Sequence, residues 1–156
     1  MAVQLAVARG VRVIGRASEG SHGVLRAFGA EPVLHGSGLV ERVSALPPGG
    51  IDAALDAVGS DEAVDASVAL VADRKRIVTL AAPQRGFRLG IKVLGGSPGA
   101  DPGVEIRAGA PVQLVGLAGA GRLHVVVAGT YPLSEAAAAH WALASGHTQG
   151  KIVLLP

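Results

Sequence analysis

The chain of 156 residues contains no cysteine. That excludes a disulfide framework and any zinc site built from thiolates. Aromatic residues make up only 3%, too few to furnish stacking platforms for nucleic-acid bases. Neither sign of charge predominates, with 14 Lys and Arg against 12 Asp and Glu and a net charge of +2. The densest basic cluster is Arg74-Lys75-Arg76, which reads as a solvated helix-to-strand turn and not as a nucleic-acid patch. The mean hydropathy of +0.44 raises the question of a membrane span. Every apolar run of about 18 residues is nevertheless broken by charge, Gly or Pro, so none is expected. No Arg- or Lys-flanked apolar segment leads the chain, which argues against a secretory leader and makes the cytosol the expected compartment.

What the chain does have is apolar content, 49% of residues, enough to argue against intrinsic disorder. The length suits one domain burying roughly 70% of its unfolded surface. Short apolar runs alternate with helical segments. A helix is expected over 2–8, ended by Gly10, then a β-branched strand over 11–15. A helix over 23–28 with Val24, Leu25 and Phe28 on one side precedes a brief strand at 32–34. Apolar spacing predicts a helix over 39–46, closed by Pro47-Pro48-Gly49-Gly50.

A strand at 51–58 and a Gly59-Ser60 turn lead into a helix from Asp61 to Leu70. Asp61 is its expected cap, and Val64, Val68 and Val71 are its inward face. Strands follow at 76–80 and 90–94, the first followed by a loop over 82–89 and the second by a Gly- and Pro-rich loop over 95–103. A helix over 110–120 with Leu114 and Leu117 inside, a strand at 124–128 and a helix capped by Ser134 and ended by Gly146 come next. Trp141 reads as a packing anchor on that helix, and 151–155 is the final strand. This rhythm predicts an α/β fold with right-handed crossovers and a mainly parallel sheet flanked by helices. No internal repeat or firm domain boundary is visible.

Catalytic constellations are scarce. His22, His35, His124, His140 and His147 include no i,i+4 pair, so no metal site is expected. Asp52 and Asp56 share a face if extended, but no hydrolase site surrounds them in the sequence. Gly36-Ser37-Gly38 and Gly20-Ser21-His22 are not nucleophile elbows. Gly119-Ala120-Gly121 and Gly95-Gly96 are placed as turns and not as phosphate-binding loops.

Several segments together nevertheless carry a resemblance. They are A-V-Q-L-A at 2–6, V-I-G at 13–15 followed by Ala17-Ser18, L-R-A-F-G-A at 25–30 and D-A-A-L-D-A-V-G at 52–59. R-I-V-T-L at 76–80, Y-P-L-S-E-A-A-A-A-H at 131–140 and G-H-T-Q-G-K-I-V-L at 146–154 complete the series. In this order they resemble the medium-chain dehydrogenase/reductase superfamily, in particular its zinc-free quinone oxidoreductase-like branch. The resemblance implies a Rossmann-like cofactor-binding portion over 1–156, with 131–156 returning to a catalytic domain. It also implies that the catalytic domain, the first strand and its glycine-rich turn would precede Met1, and that any zinc ligands would lie there, so no zinc is expected in this chain. In the 3-2-1-4-5-6 order that first strand is central. Without it, the strands at 11–15 and 51–58 would either pair directly or each expose an unpaired edge.

By the same resemblance, the end of the strand at 11–15 would read the adenosine ribose. Arg16-Ala17-Ser18 stands there, and Arg16 and Ser18 suit a 2′-phosphate, hence NADPH. The alternative is that both are polar loop residues capping the next helix. Val58 and Gly59, then Leu80 and Ala81, would line the cofactor crevice, although a plain turn explains the small residues as well. No residue is assigned a catalytic role. The implied activity is hydride transfer from NADPH to a quinone, carbonyl or electron-poor alkene, with a small-molecule substrate engaged only if a further domain is supplied. The alternative is a non-catalytic Rossmann-like binding or assembly module. The apolar stretch at 90–94 would be an exposed edge through which a homodimer forms, at Ile91 to Leu94.

Overall fold

In the computed structural model, residues 1–47, 49–146 and 148–156 are described. Residue 48 of the expected Pro-Pro closure, and His147 of the closing motif, fall outside them. The N-terminal half alternates helix and strand: α1 (Ala2–Val7), β1 (Ile14–Ala17), α2 (His22–Ala27), β2 (Glu31–Leu34), α3 (Leu39–Ser44), β3 (Ala54–Asp56), α4 (Asp61–Leu70) and β4 (Ile77–Thr79). Then follow α5 (Pro83–Leu89), β5 (Lys92–Val93), α6 (Val104–Gly119), β6 (Val127–Pro132), α7 (Ala136–Ala144) and β7 (Lys151–Leu155). Among the described residues three parallel sheets result, ordered β1-β2, β3-β4-β5 and β6-β7. Among the described residues no ladder joins β1 to β3, so the two strands do not pair directly.

Side chains hold the first two sheets together where backbone does not. One core cluster gathers Val64, Val71, Ile77, Ala82 and Ile91 around β4. The other gathers Val33, Leu39, Val43 and Ala66 between β2, α3 and α4. Ile51 packs against both clusters, and α4 contributes to each. That helix therefore serves as the joint. Its N-cap is Ser60, whose Oγ accepts from the Ala63 amide at 3.3 Å, and not Asp61 as expected. Asp61 and Glu62 occupy the first turn, where carboxylates complement the helix dipole. Val64 and Val71 are buried and Val68 packs alongside, as their spacing predicts.

Several expectations need correction. Residues 83–89 form a helix, not a loop: Pro83 stands at the first position and Gly90 closes it with φ of +66°. Gly86 lets this helix lie close on the sheet, since a Cβ there would come within 2.6 Å of Val93 and 2.8 Å of Thr79. Helix α6 begins at Val104 and runs through Pro111, a residue that reads locally as a boundary. Leu114 and Leu117 are only half-buried on it, and none of its residues is fully buried.

The strand expected at 124–128 begins only at Val127. Just before it the Gln4 amide clamps His124, Nε2 donating to the carbonyl at 2.9 Å and Oε1 accepting the amide at 2.8 Å. Ser134 lies in a 3-10 turn and caps nothing. Trp141 is 78% exposed and anchors no packing, because the inward stripe of α7 consists of alanines, with Ala139 buried. The stretch at 90–94 is not apolar surface either: Ile91 and Val93 are buried in the chain's own core. Asp101 lies along its outer side, donating its amide to the Val93 carbonyl and pairing with Lys92 at 2.9 Å. Among the described residues, no helix is long and apolar enough to cross a membrane.

Candidate functional site

The carboxyl ends of β3 and β4 are tied into one unit by two buried polar residues, Asp56 and Thr79. Thr79 Oγ1 donates to Asp56 Oδ2 at 2.7 Å and accepts the amides of Ala81 and Ala82 at 3.2 and 3.0 Å. Asp56 Oδ1 accepts the amides of Val58 and Gly59 at 3.1 and 2.9 Å. The Leu80 amide donates to the Asp56 carbonyl. The amides of Val58, Gly59, Leu80, Ala81 and Ala82 in the two strand-to-helix turns thereby find acceptors on the other strand or their own.

Gly59 and Ala81 consequently touch. Gly59 has φ of +79°, and a Cβ on it would meet the Ala81 carbonyl oxygen at 2.8 Å, so this crossing requires glycine on both counts. Val58 and Leu80 are exposed on the rim. The structure therefore brings Val58, Gly59, Leu80 and Ala81 to one edge.

Arg16 reaches the same turn from the end of β1. Its Nη2 donates to Ser60 Oγ at 3.1 Å and to Glu62 Oε2 at 2.9 Å. Glu62 Oε1 also accepts the Gly36 amide beyond β2, at 2.5 Å. The Arg16 hydrogen bond, with help from Gly36, holds the Glu62 carboxyl below its ordinary range despite partial desolvation. Arg16 Nε is buried without a partner among the described residues. Arg16 thus caps no helix of its own; it bridges the β1 end to α4. Ser18 is exposed, its Oγ 3.5 Å from Ser21 Oγ, with no side-chain cap formed. Among the described residues no hydrogen bond joins the side chains of Ser18 and Arg16.

Three residues of this arrangement were not read from the sequence as site residues: Asp56, Thr79 and Glu62. A lone Asp inside A-A-L-D-A-V-G is the available signal for the first, since a buried carboxylate demands partners. Glu62 offered none, standing 46 positions from Arg16. Two hollows lie elsewhere. One, of about 450 Å³, sits between β6, β7 and α7. The other, of about 430 Å³, is lined by Met1, Ala17, Leu25, Phe28 and Val125, among others.

A family model described as zinc-binding dehydrogenase matches residues 28–154. The chain belongs to that family, within the medium-chain dehydrogenase/reductase superfamily. A mycobacterial quinone oxidoreductase is similar at 30% identity and a TM-score of 0.72, over 99% of this chain and 52% of its own. A mycobacterial structure solved with NADPH shares 26% identity, TM-score 0.75, over 99% and 52%. An NAD-dependent alcohol dehydrogenase shares 26% identity, TM-score 0.78, over 99% and 47%. The chain spans about half the length of these neighbours. Comparison with curated proteins gives no match.

The residues present fit a nicotinamide dinucleotide in part. The Gly59–Ala81 crossing presents bare backbone at the rim, and the buried Arg16 Nε is a donor lacking an acceptor. Among the described residues no three of His, Cys, Asp or Glu converge to hold a metal ion.

Proposed function

We propose that this chain is the cofactor-binding portion of an NADPH-dependent oxidoreductase of the quinone oxidoreductase type. The observation that carries the reading is the Asp56–Thr79 hub, which fixes two strand-to-helix turns at the carboxyl edge of a parallel sheet, where ligands of such sheets bind. Family membership and the likeness to a quinone oxidoreductase and to an NADPH complex support it. When bound, the nicotinamide supplies the hydride; the chain's own contribution is placement. Val58, Gly59, Leu80 and Ala81 would form the wall of the crevice, and Arg16 with Ser18 would face the adenosine 2′-phosphate. The acceptor, a quinone, carbonyl or electron-poor alkene, would be positioned by a further domain that meets residues 131–156, whose β6-β7 sheet stands apart from the other two. A cytosolic setting belongs to the same proposal.

Fluorescence titration of the purified chain with NADPH tests the reading. Saturable binding in the micromolar range is expected, and no binding of either NADPH or NADH overturns it. The separation of the β1-β2 and β3-β4-β5 sheets favours a second reading, a Rossmann-like binding or assembly module without turnover. That reading predicts no nucleotide binding in the same titration.

A further inference from the structure

We infer that Glu62 is a specificity-determining residue of this site, restraining Arg16 so that the preference for a 2′-phosphate over a free ribose 2′-hydroxyl is smaller than the arginine alone would give. The inference rests on the cofactor reading given above.

Three separate loops converge on the Glu62 carboxylate: the end of β1 through Arg16, the residue after the β2 exit through Gly36, and the start of α4 through Glu62 itself. The Arg16 side chain is 22% exposed and that of Glu62 30%, so the pair is accessible yet partly shielded from water. Arg16 spends Nη2 on Ser60 and Glu62, and the positive charge that a phosphate would seek is already compensated. A ribose phosphate carries a charge of about −1.5 to −2. To reach the guanidinium it must displace Glu62 or sit beside it, and like charges at such a distance repel. A 2′-hydroxyl meets no such conflict. It donates a proton, and an ionised carboxylate offers about four lone-pair sites, of which Arg16 and Gly36 occupy one each.

The test compares wild type with Glu62→Gln, which keeps the side-chain volume and removes the charge. Kd for NADPH and for NADH is measured by fluorescence titration at one ionic strength. The expected result is NADPH binding about fivefold tighter or more in the variant, with NADH unchanged or weaker. Glu62→Ala should move the ratio in the same direction. Asp61→Asn changes the same charge one residue away, on a carboxylate that pairs with Arg85 instead, and should leave the ratio within twofold. A purely structural role for Glu62 would shift both cofactors alike. If both cofactors bind and their ratio stays within twofold in Glu62→Gln, or moves equally in Asp61→Asn, the assignment to Glu62 is overturned while the cofactor reading stands. If wild type and variants bind neither cofactor, the cofactor reading itself fails, and this inference with it.

Discussion

Thr79 has no spare hydrogen-bonding capacity. Its hydroxyl donates once and accepts twice, and the residue is completely buried. Thr79→Val preserves shape but strands two amides and deprives the buried Asp56 of a donor. We predict a loss of about 2–4 kcal/mol in unfolding free energy, read as a lower urea midpoint at unchanged m-value. A loss below about 0.5 kcal/mol would mean that the hub is dispensable. At Arg16 the prediction concerns selectivity: Arg16→Ala should narrow any NADPH-over-NADH preference, because the 2′-phosphate loses a charge-assisted donor. The ratio of the two dissociation constants measures it, and an unchanged ratio removes Arg16 from the site. Arg16 and the small residues Gly59 and Ala81 could be nominated because each falls at a strand end that the family resemblance places beside the cofactor. Glu62 could not, since a charged residue in the first turn of a helix is common for reasons of dipole alone.

At the scale of elements, α5 shows what a short helix needs. Seven residues with no cap side chain have little intrinsic stability, and its sequence P-Q-R-G-F-R-L carries no clear apolar stripe. Close seating on β4 and β5 at Gly86 supplies the missing stabilisation, together with the ion pairs from Arg85 to Asp61 and Asp65 of α4. Gly86→Ala should therefore lift the helix off the sheet, even though alanine is the better helix former. The expected cost is about 1–3 kcal/mol, with faster amide exchange over 83–93. A stabilised variant would show that the neighbours yield freely. The converse case is α4, whose span was legible although its cap is Ser60 and not Asp61: its polar start and its valines at 64, 68 and 71 agree with each other. The segment at 124–126 was misread because its valines favour a strand, while the Gln4 clamp on His124 imposes other backbone partners.

For the whole molecule, acid stability follows from three paired carboxylates. The Arg12 hydrogen bond lowers Glu31, that of Arg16 lowers Glu62, and that of Lys92 lowers Asp101. A group whose folded pKa lies below its unfolded value binds fewer protons when folded, so its contribution is complete above the ordinary carboxylate range near about 4. It is lost as the pH falls through the lowered values. Urea midpoints should hardly change from about pH 7 to 5 and should drop below about pH 4. Glu62→Gln should drop less steeply, and a profile identical to wild type would exclude its pair from the acid response. Assembly is the other property of this scale. A homodimer through Ile91 to Leu94 remains a proposal, and it would require the Asp101 segment, which bonds the outer backbone of this stretch, to give way, the side chains of Ile91 and Val93 being turned inward. Light scattering at tens of micromolar protein tests it, and a monomer mass would remove it.

Read alone, the residues determined the alternation of strand and helix, the parallel α/β class, the family and the four small or apolar residues at the sheet's carboxyl edge. These depend on local periodicity, turn chemistry and ordered motifs, all of which are short-range in the chain. Tertiary structure alone decided that β1 and β3 stand in separate sheets joined through α4 and Ile51. It also decided that Asp56 and Thr79 would meet across 23 positions, and that a carboxylate would arrive beside Arg16. Each of these depends on which distant groups become neighbours once apolar surface is buried and every polar group enclosed with it must find a partner.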